Sequence, residues 1–152
     1  MHVVLFQPEI PPNTANVGRL CAGTGVSLHL IRPLGFELSA RYLDKPELAF
    51  WSDIDLHVHD HFDEIEAIRA PHARIWLFSS AATTCYWDVA FGADDILVFG
   101  RETAGLPQAL KVRHSETLVT LPHSKHIRSV NLSNAVSIAV YEALRQQVTT
   151  SD

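Results

Sequence analysis

Four groups of polar residues in this chain have types and spacing that could support chemistry. Asn13 and Arg19 stand six residues apart in a stretch that is otherwise fairly apolar, with Val17, Leu20 and Ala22 around the arginine. A planar guanidinium aimed into a cleft grips a phosphate or ribose oxygen. An arginine paired with Glu9 or left on the surface is the plainer alternative. Gly100-Arg-Glu-Thr-Ala-Gly105 follows directly on an apolar run, and its glycines permit close backbone approach. It matches neither GxGxxG nor GxxxxGK[ST], so no diphosphate motif stands behind it, and a tight strand-to-helix turn would use the same residues. Ser129 and Asn131 sit before a helical pattern, where free backbone N–H groups and the helix dipole suit an anionic or polar ligand group. An ordinary capped helix is the alternative there. His57-x-His59-x-His61 would put three rings on one side of a strand. No carboxylate or cysteine motif completes a known site, so no metal is expected. His123 and His126, in the loop before Ser129, read as solvated, and Trp51, Trp76 and Trp87 as core or interface.

The elements that must position these groups are legible from periodicity. Residues 3–6 and 26–31 read as strands, with a helix from Thr14 to about Thr24 between them, Asn13 as its N-cap and Gly25 as its stop. A strand, a helix and a strand within about thirty residues form a βαβ unit, so the sheet begins parallel. A short helix is expected over 39–49, a strand over 54–58, and an amphipathic helix over 62–69 with Phe62, Ile65 and Ile68 inward. Strands follow over 74–78 and 95–99, the second apolar throughout as in a strand buried on both faces. Pro107 opens a short helix. Leu118–Leu121 is a further strand, and Asn131 caps a helix whose Leu132, Val136, Ala139, Val140 and Ala143 recur at helical spacing. The fold class is α/β, a mostly parallel sheet with helices on both faces and ligands at the strand C-terminal ends. Three such ends, Phe78-Ser-Ser80, Phe99 to Gly105, and Leu121-Pro-His123 leading to Ser129, would line one crevice suited to a flat heterocycle such as adenine.

With 152 residues, of which 47% are hydrophobic, one compact domain spanning 1–152 is the default. The start lacks the charged and apolar regions of a signal peptide, and no apolar run is long enough to span a bilayer, so a cytoplasmic protein is expected. Cys21 and Cys85 form neither CxxC spacing nor a disulfide framework. A formal net charge of −5 argues against indiscriminate binding to nucleic-acid backbone while leaving room for a local basic face.

Taken together, Glu9 to Gly25, Phe99 to Pro107 and Arg128 to Glu142 resemble, in order, the three motifs of the SPOUT class of RNA methyltransferases, and the likeness covers nearly the whole chain. Within that class the wording is closest to the group that methylates the ribose 2′-hydroxyl of the wobble cytidine or uridine of tRNA. The resemblance implies a C-terminal trefoil knot, S-adenosylmethionine as cofactor, tRNA as partner and a homodimer, with no role for DNA or a membrane. Carried over by position, it implies cofactor contacts at Phe78, Gly100, Leu121, Ser129 and Val130. It places functional polar groups at Asn13, Arg19, Glu102, Ser129 and Asn131, and a tRNA-binding or catalytic role at Tyr141. Ala15 departs mildly from the usual glycine, while Arg101 and Ala104 stand where proline and arginine are expected.

Such a reaction needs the ribose oxygen in line with the sulfonium methyl, so positioning dominates. Arginine is a poor general base. Arg19 therefore orients ribose and phosphate, or serves as base in a site that depresses its pKa, with Glu102 fixing its loop by hydrogen bonding. Methylation of ribosomal RNA is one alternative, and a non-enzymatic module binding an adenine-containing ligand is another.

Overall fold

The computed structural model describes residues 1–38 and 46–149, with the side chains of 46–49 and 149 left aside. Seven strands form one sheet: β1 (His2–Phe6), β2 (Ser27–Ile31), β3 (Leu56–His59), β4 (Ile75–Phe78), β5 (Thr84–Cys85), β6 (Ile96–Phe99) and β7 (Leu118–Thr120). Their order is β3-β2-β1-β6-β4-β7-β5, and every pair is parallel. Alternation along the central strands divides the core between two faces. Leu97 and Phe99 join Leu5, Leu28 and Phe78 beneath α1 (Pro11–Thr24) and α4 (Leu132–Thr149). On the other face, Ile96 and Val98 meet Ile65 of α2 (Asp63–Ile68) and Leu110 of α3 (Gln108–Arg113). Burial on both faces explains why these strands carry apolar runs rather than alternation. The five residues read as the inner stripe of α4 are all buried.

Four local expectations differ. Ile68, expected inward, is the last residue of α2 and is 53% exposed. The first helix starts at Pro11 with Ile10 as N-cap, so Asn13 is its third residue and is buried rather than capping. The prolines tolerate this because the first helical positions need no donated N–H and fit their fixed φ. Gly25 does end the helix, in the left-handed region at φ 69°. Strand β3 starts two residues later and ends one residue later than expected. The two-residue β5 carries too little pattern to read from sequence. Of the helix expected over 39–49, residues 39–45 lie outside the described residues, and Pro46–Asp53 is a 3-10 helix. No described helix is long and apolar enough to cross a membrane.

Candidate functional site

Strands β6, β4 and β7 are neighbours, so the loops that leave their carboxyl ends rise over one edge of the sheet. Between these loops and the amino ends of α1 and α4 lies a pocket of about 430 Å³, a size typical of small-molecule sites. Its lining includes Phe78, Gly100, Leu121, Ser129 and Val130, together with Asn13, Glu102 and Asn131. The three strand ends singled out in the sequence thus share one hollow. Arg19 and Tyr141 are not among its lining residues.

Apolar and polar walls arise from different causes. Phe78 and Phe99 end adjacent strands in register and stack with ring centroids 4.5 Å apart, which gives the floor a flat aromatic surface. Gly100 lets the chain turn back on itself: a Cβ there would lie 2.2 Å from the carbonyl carbon of Gly105. The turn is closed by paired backbone hydrogen bonds between Arg101 and Gly105.

The polar wall is a relay of amides joined to one carboxylate. Glu102 accepts hydrogen bonds from the backbone N–H groups of Glu9 (2.8 Å) and Ile10 (3.1 Å) and from Asn13 Nδ2 (3.1 Å). Asn13 Oδ1 in turn accepts from Asn131 Nδ2 at 3.1 Å, and Asn131 Oδ1 caps α4 by accepting from the N–H groups of Ser133 and Asn134. Every polar atom on the two asparagine side chains that the relay uses is oriented by a partner, so the wall is fixed before any ligand arrives. A second tie runs from the Thr103 N–H and hydroxyl to Glu9, and these bonds hold the Glu9 carboxyl below the usual carboxylate range, aided by Arg101 nearby.

Several contacts around the pocket join residues remote in sequence, and local spacing does not show them. Thr103, Lys111, Arg128 and the Ser79–Ala81 turn all line the hollow. The Arg101 guanidinium bonds to the Gln7 side-chain carbonyl, and Arg128 donates to the Thr103 carbonyl at 3.1 Å. His123, read as solvated, lines the pocket too, with Nδ1 2.9 Å from the Leu121 carbonyl. Arg19 is exposed, and its guanidinium stands 5.6 Å from the centroid of the Phe50 ring. Six residues of α-helix turn it about 120° away from Asn13, which accounts for its separation from the pocket on its own chain.

Other candidates take structural places. Burial pushes the Cys21 thiol up to about 12, so it is no nucleophile. His57 bonds to Asp55, while His59 belongs to a chain of rings on the far side of the sheet: His2 Nδ1 lies 3.0 Å from His29 Nε2, His29 Nδ1 2.9 Å from His59 Nε2, and His59 Nδ1 3.2 Å from Glu64. His61 lies beyond the end of β3. Among the described residues no group of three or more histidines, cysteines or carboxylates could hold a metal ion.

Comparison with known proteins gives concordant matches. The model of the SpoU rRNA Methylase family matches residues 1–141. The tRNA (cytidine(34)-2′-O)-methyltransferase of Saccharophagus degradans is 44% identical over 146 residues, which are 95% of this chain and 94% of that protein. A solved structure concerned with the 2-OH methylation of C/U34 on tRNA is 38% identical and superposes with a TM-score of 0.87, covering 97% of this chain and 96% of its own. The SpoU methyltransferase AviRb of Streptomyces viridochromogenes, in complex with the cofactor AdoMet, has a TM-score of 0.77 at 22% identity, covering 97% of this chain and 58% of that one. This last likeness is one of fold.

Proposed function

The chain belongs to the SpoU rRNA Methylase family, and from that premise we propose that it is a tRNA 2′-O-methyltransferase acting on the wobble nucleotide of the anticodon, a cytidine or modified uridine. The observation that carries the reading is the convergence of three strand ends and the Asn13–Glu102–Asn131 relay on one pocket. That pocket suits S-adenosylmethionine: a flat aromatic and aliphatic floor for adenine, turn backbone at Gly100 and Leu121 for its ring nitrogens, and hydroxyl and amide groups at Ser129 and Asn131 for its polar parts. Bound there, S-adenosylmethionine supplies an electrophilic methyl group.

The protein's own contribution is placement. Phe78, Gly100, Leu121, Ser129 and Val130 would hold the cofactor, and Asn13 and Asn131, locked by Glu102, would fix the ribose edge. Glu102 accepts three hydrogen bonds as a carboxylate, which makes it an anchor for the loop rather than an acceptor for the ribose proton. Arg19 stands outside the pocket of its own chain, so in this reading it serves the pocket of a second copy in a homodimer. Supporting this, α1 and α4 pack against each other and each carries exposed residues, Asn16 and Arg19 on one and Asn134, Ile138 and Tyr141 on the other. Tyr141, 61% exposed, then belongs to the shared face. The reading also includes a single domain over 1–152, a knotted C-terminal segment and a cytoplasmic place of action.

Transfer of labelled methyl from S-adenosylmethionine to bulk tRNA tests the proposal, with a tRNA carrying one 2′-deoxy wobble residue as control. Incorporation into the first and none into the second is expected. Label entering ribosomal RNA instead, or cofactor binding without transfer to any RNA, would overturn it. Arg19→Lys should lose most activity, because a point charge does not reproduce the guanidinium fork.

A further inference from the structure

The pocket has a mouth, and its charge differs from that of the chain as a whole. Between Glu116 and Glu142 there is no acidic residue, although the protein carries a formal net charge of −5. That interval contains the loop Ser124-Lys-His-Ile-Arg-Ser129, exposed along its whole length and adjoining the lining residues His123, Arg128 and Ser129. Lys111, from α3, reaches the same lining. Neither the Lys111 nor the Lys125 ammonium group forms an ion pair or hydrogen bond with any described residue. Among the described residues the Arg128 guanidinium donates only to a neutral carbonyl, that of Thr103, and pairs with no carboxylate. The carboxylate on this wall, Glu102, is turned inward and accepts three N–H groups.

The loop is also pre-shaped and carries an apolar tip. The Ile127 N–H donates to the Ser124 carbonyl at 3.2 Å, the His126 N–H donates to Ser124 Oγ at 3.2 Å, and Arg128 ties the far end to the 100–105 turn. Ile127 is 51% exposed at its centre. Unpaired cations around an exposed apolar side chain match a nucleic-acid strand, in which phosphates alternate with flat bases.

We propose that Lys111, Lys125 and Arg128 grip the RNA phosphates flanking the nucleotide to be methylated, with Ile127 packed on a neighbouring base. This rests on the RNA-methyltransferase reading above and names the surface by which that site holds its substrate. The net acidity of the remainder would limit indiscriminate RNA binding and leave recognition to this rim. Such contacts add affinity for RNA of any sequence, and base or shape readout elsewhere would set specificity.

The test is a salt series. Binding of an anticodon stem-loop RNA is measured for the parent protein, Lys125→Gln, the Lys111→Gln/Lys125→Gln pair and Ile127→Ser, with calorimetry of S-adenosylmethionine on Lys125→Gln as the control for the pocket. Each lysine removed should lower the slope of log affinity against log salt by about 0.7 to 0.9. Ile127→Ser should weaken binding with the slope unchanged, and Lys125→Arg should restore the parent slope. Cofactor affinity should stay at the parent value in Lys125→Gln, which stands outside the pocket lining. Parent-like slopes and affinities in the lysine variants would overturn the inference while leaving methyl transfer by the parent protein intact. Failure of the parent itself to methylate RNA would instead remove the reading on which it rests.

Discussion

The sheet carries two clusters of polar groups, one at the carboxyl ends of β6, β4 and β7 and one across β1, β2 and β3. In the first, Glu102 and Asn131 meet Asn13 from 89 and 118 positions further along the chain, and a hollow lies between the segments. In the second, His2, His29, His59 and Glu64 satisfy one another ring to ring, and His29 within the chain is only 2% exposed. With Glu64 accepting, each Nε2 in that chain can take the proton of the next ring's Nδ1, so the rings are complete as neutral groups. The contrast shows that functional residue types do not suffice for a site. Loops must part over a strand edge and leave polar groups facing a space, which neighbouring parallel strands provide and a cross-strand ring stack fills.

Acid should break this contrast most visibly. Burial, with His2, His57 and His59 as cationic neighbours when protonated, holds His29 down at about 3 against an ordinary 6.5. Between those values the unfolded chain takes up a proton that the folded chain refuses, so stability falls as pH drops below about 6.5 and the loss is complete near 3. At about 1.36 kcal/mol per unit the upper bound is about 5 kcal/mol. The lowered carboxyl of Glu9 works on the pocket side in a lower window, losing its contribution only as pH falls below its ordinary 4.5. Urea midpoints between pH 7 and 4.5 should therefore fall in the parent protein and flatten in His29→Phe. An unchanged slope in that variant would assign the acid sensitivity elsewhere.

Overfilling the hollow comes next. In Gly100→Ala the new methyl group meets the backbone of Gly105 and Leu106 at 2.2 and 2.4 Å, and backbone cannot swing aside as a side chain does. A cost of about 3 kcal/mol is expected, together with loss of measurable S-adenosylmethionine binding by calorimetry. Parent-like cofactor affinity would show that the 100–105 turn is not part of the cradle. The smallest effect belongs to Asn131→Ala, which removes the cap of α4 at about 1 kcal/mol. Its melting temperature should drop by about 3 °C, while the loss of the bond to Asn13 should reduce methyl transfer by more than that stability change accounts for.

Much of this was readable in the residues. The apolar runs at 3–6, 75–78 and 96–99 located strands because burial on both faces demands such runs, and Asn131 caps its helix as its side chain suggests. Asn13 misled, since an asparagine before a helical pattern is a natural cap and the pair of prolines ahead of it reads as a loop. Lys111 carries no signal, and the contacts of Glu9, Thr103 and Arg128 are not legible, because their partners or their cavity come from other parts of the chain and local spacing encodes no such meeting. Arg19 stands out by its apolar setting and, with Tyr141, by family position, and the chain carries both on its outer surface.

The bond between Asn13 and Asn131 spans 118 positions, and this has a consequence for how a newly made molecule matures. The first helix can form early, but the wall it shares with α4 is missing until the chain as far as Asn131 has left the ribosome. Closing so large a loop is slow and comes late in folding. Nascent and truncated copies therefore lack a receptacle for the methyl donor, and only finished molecules can draw on the cell's supply of it.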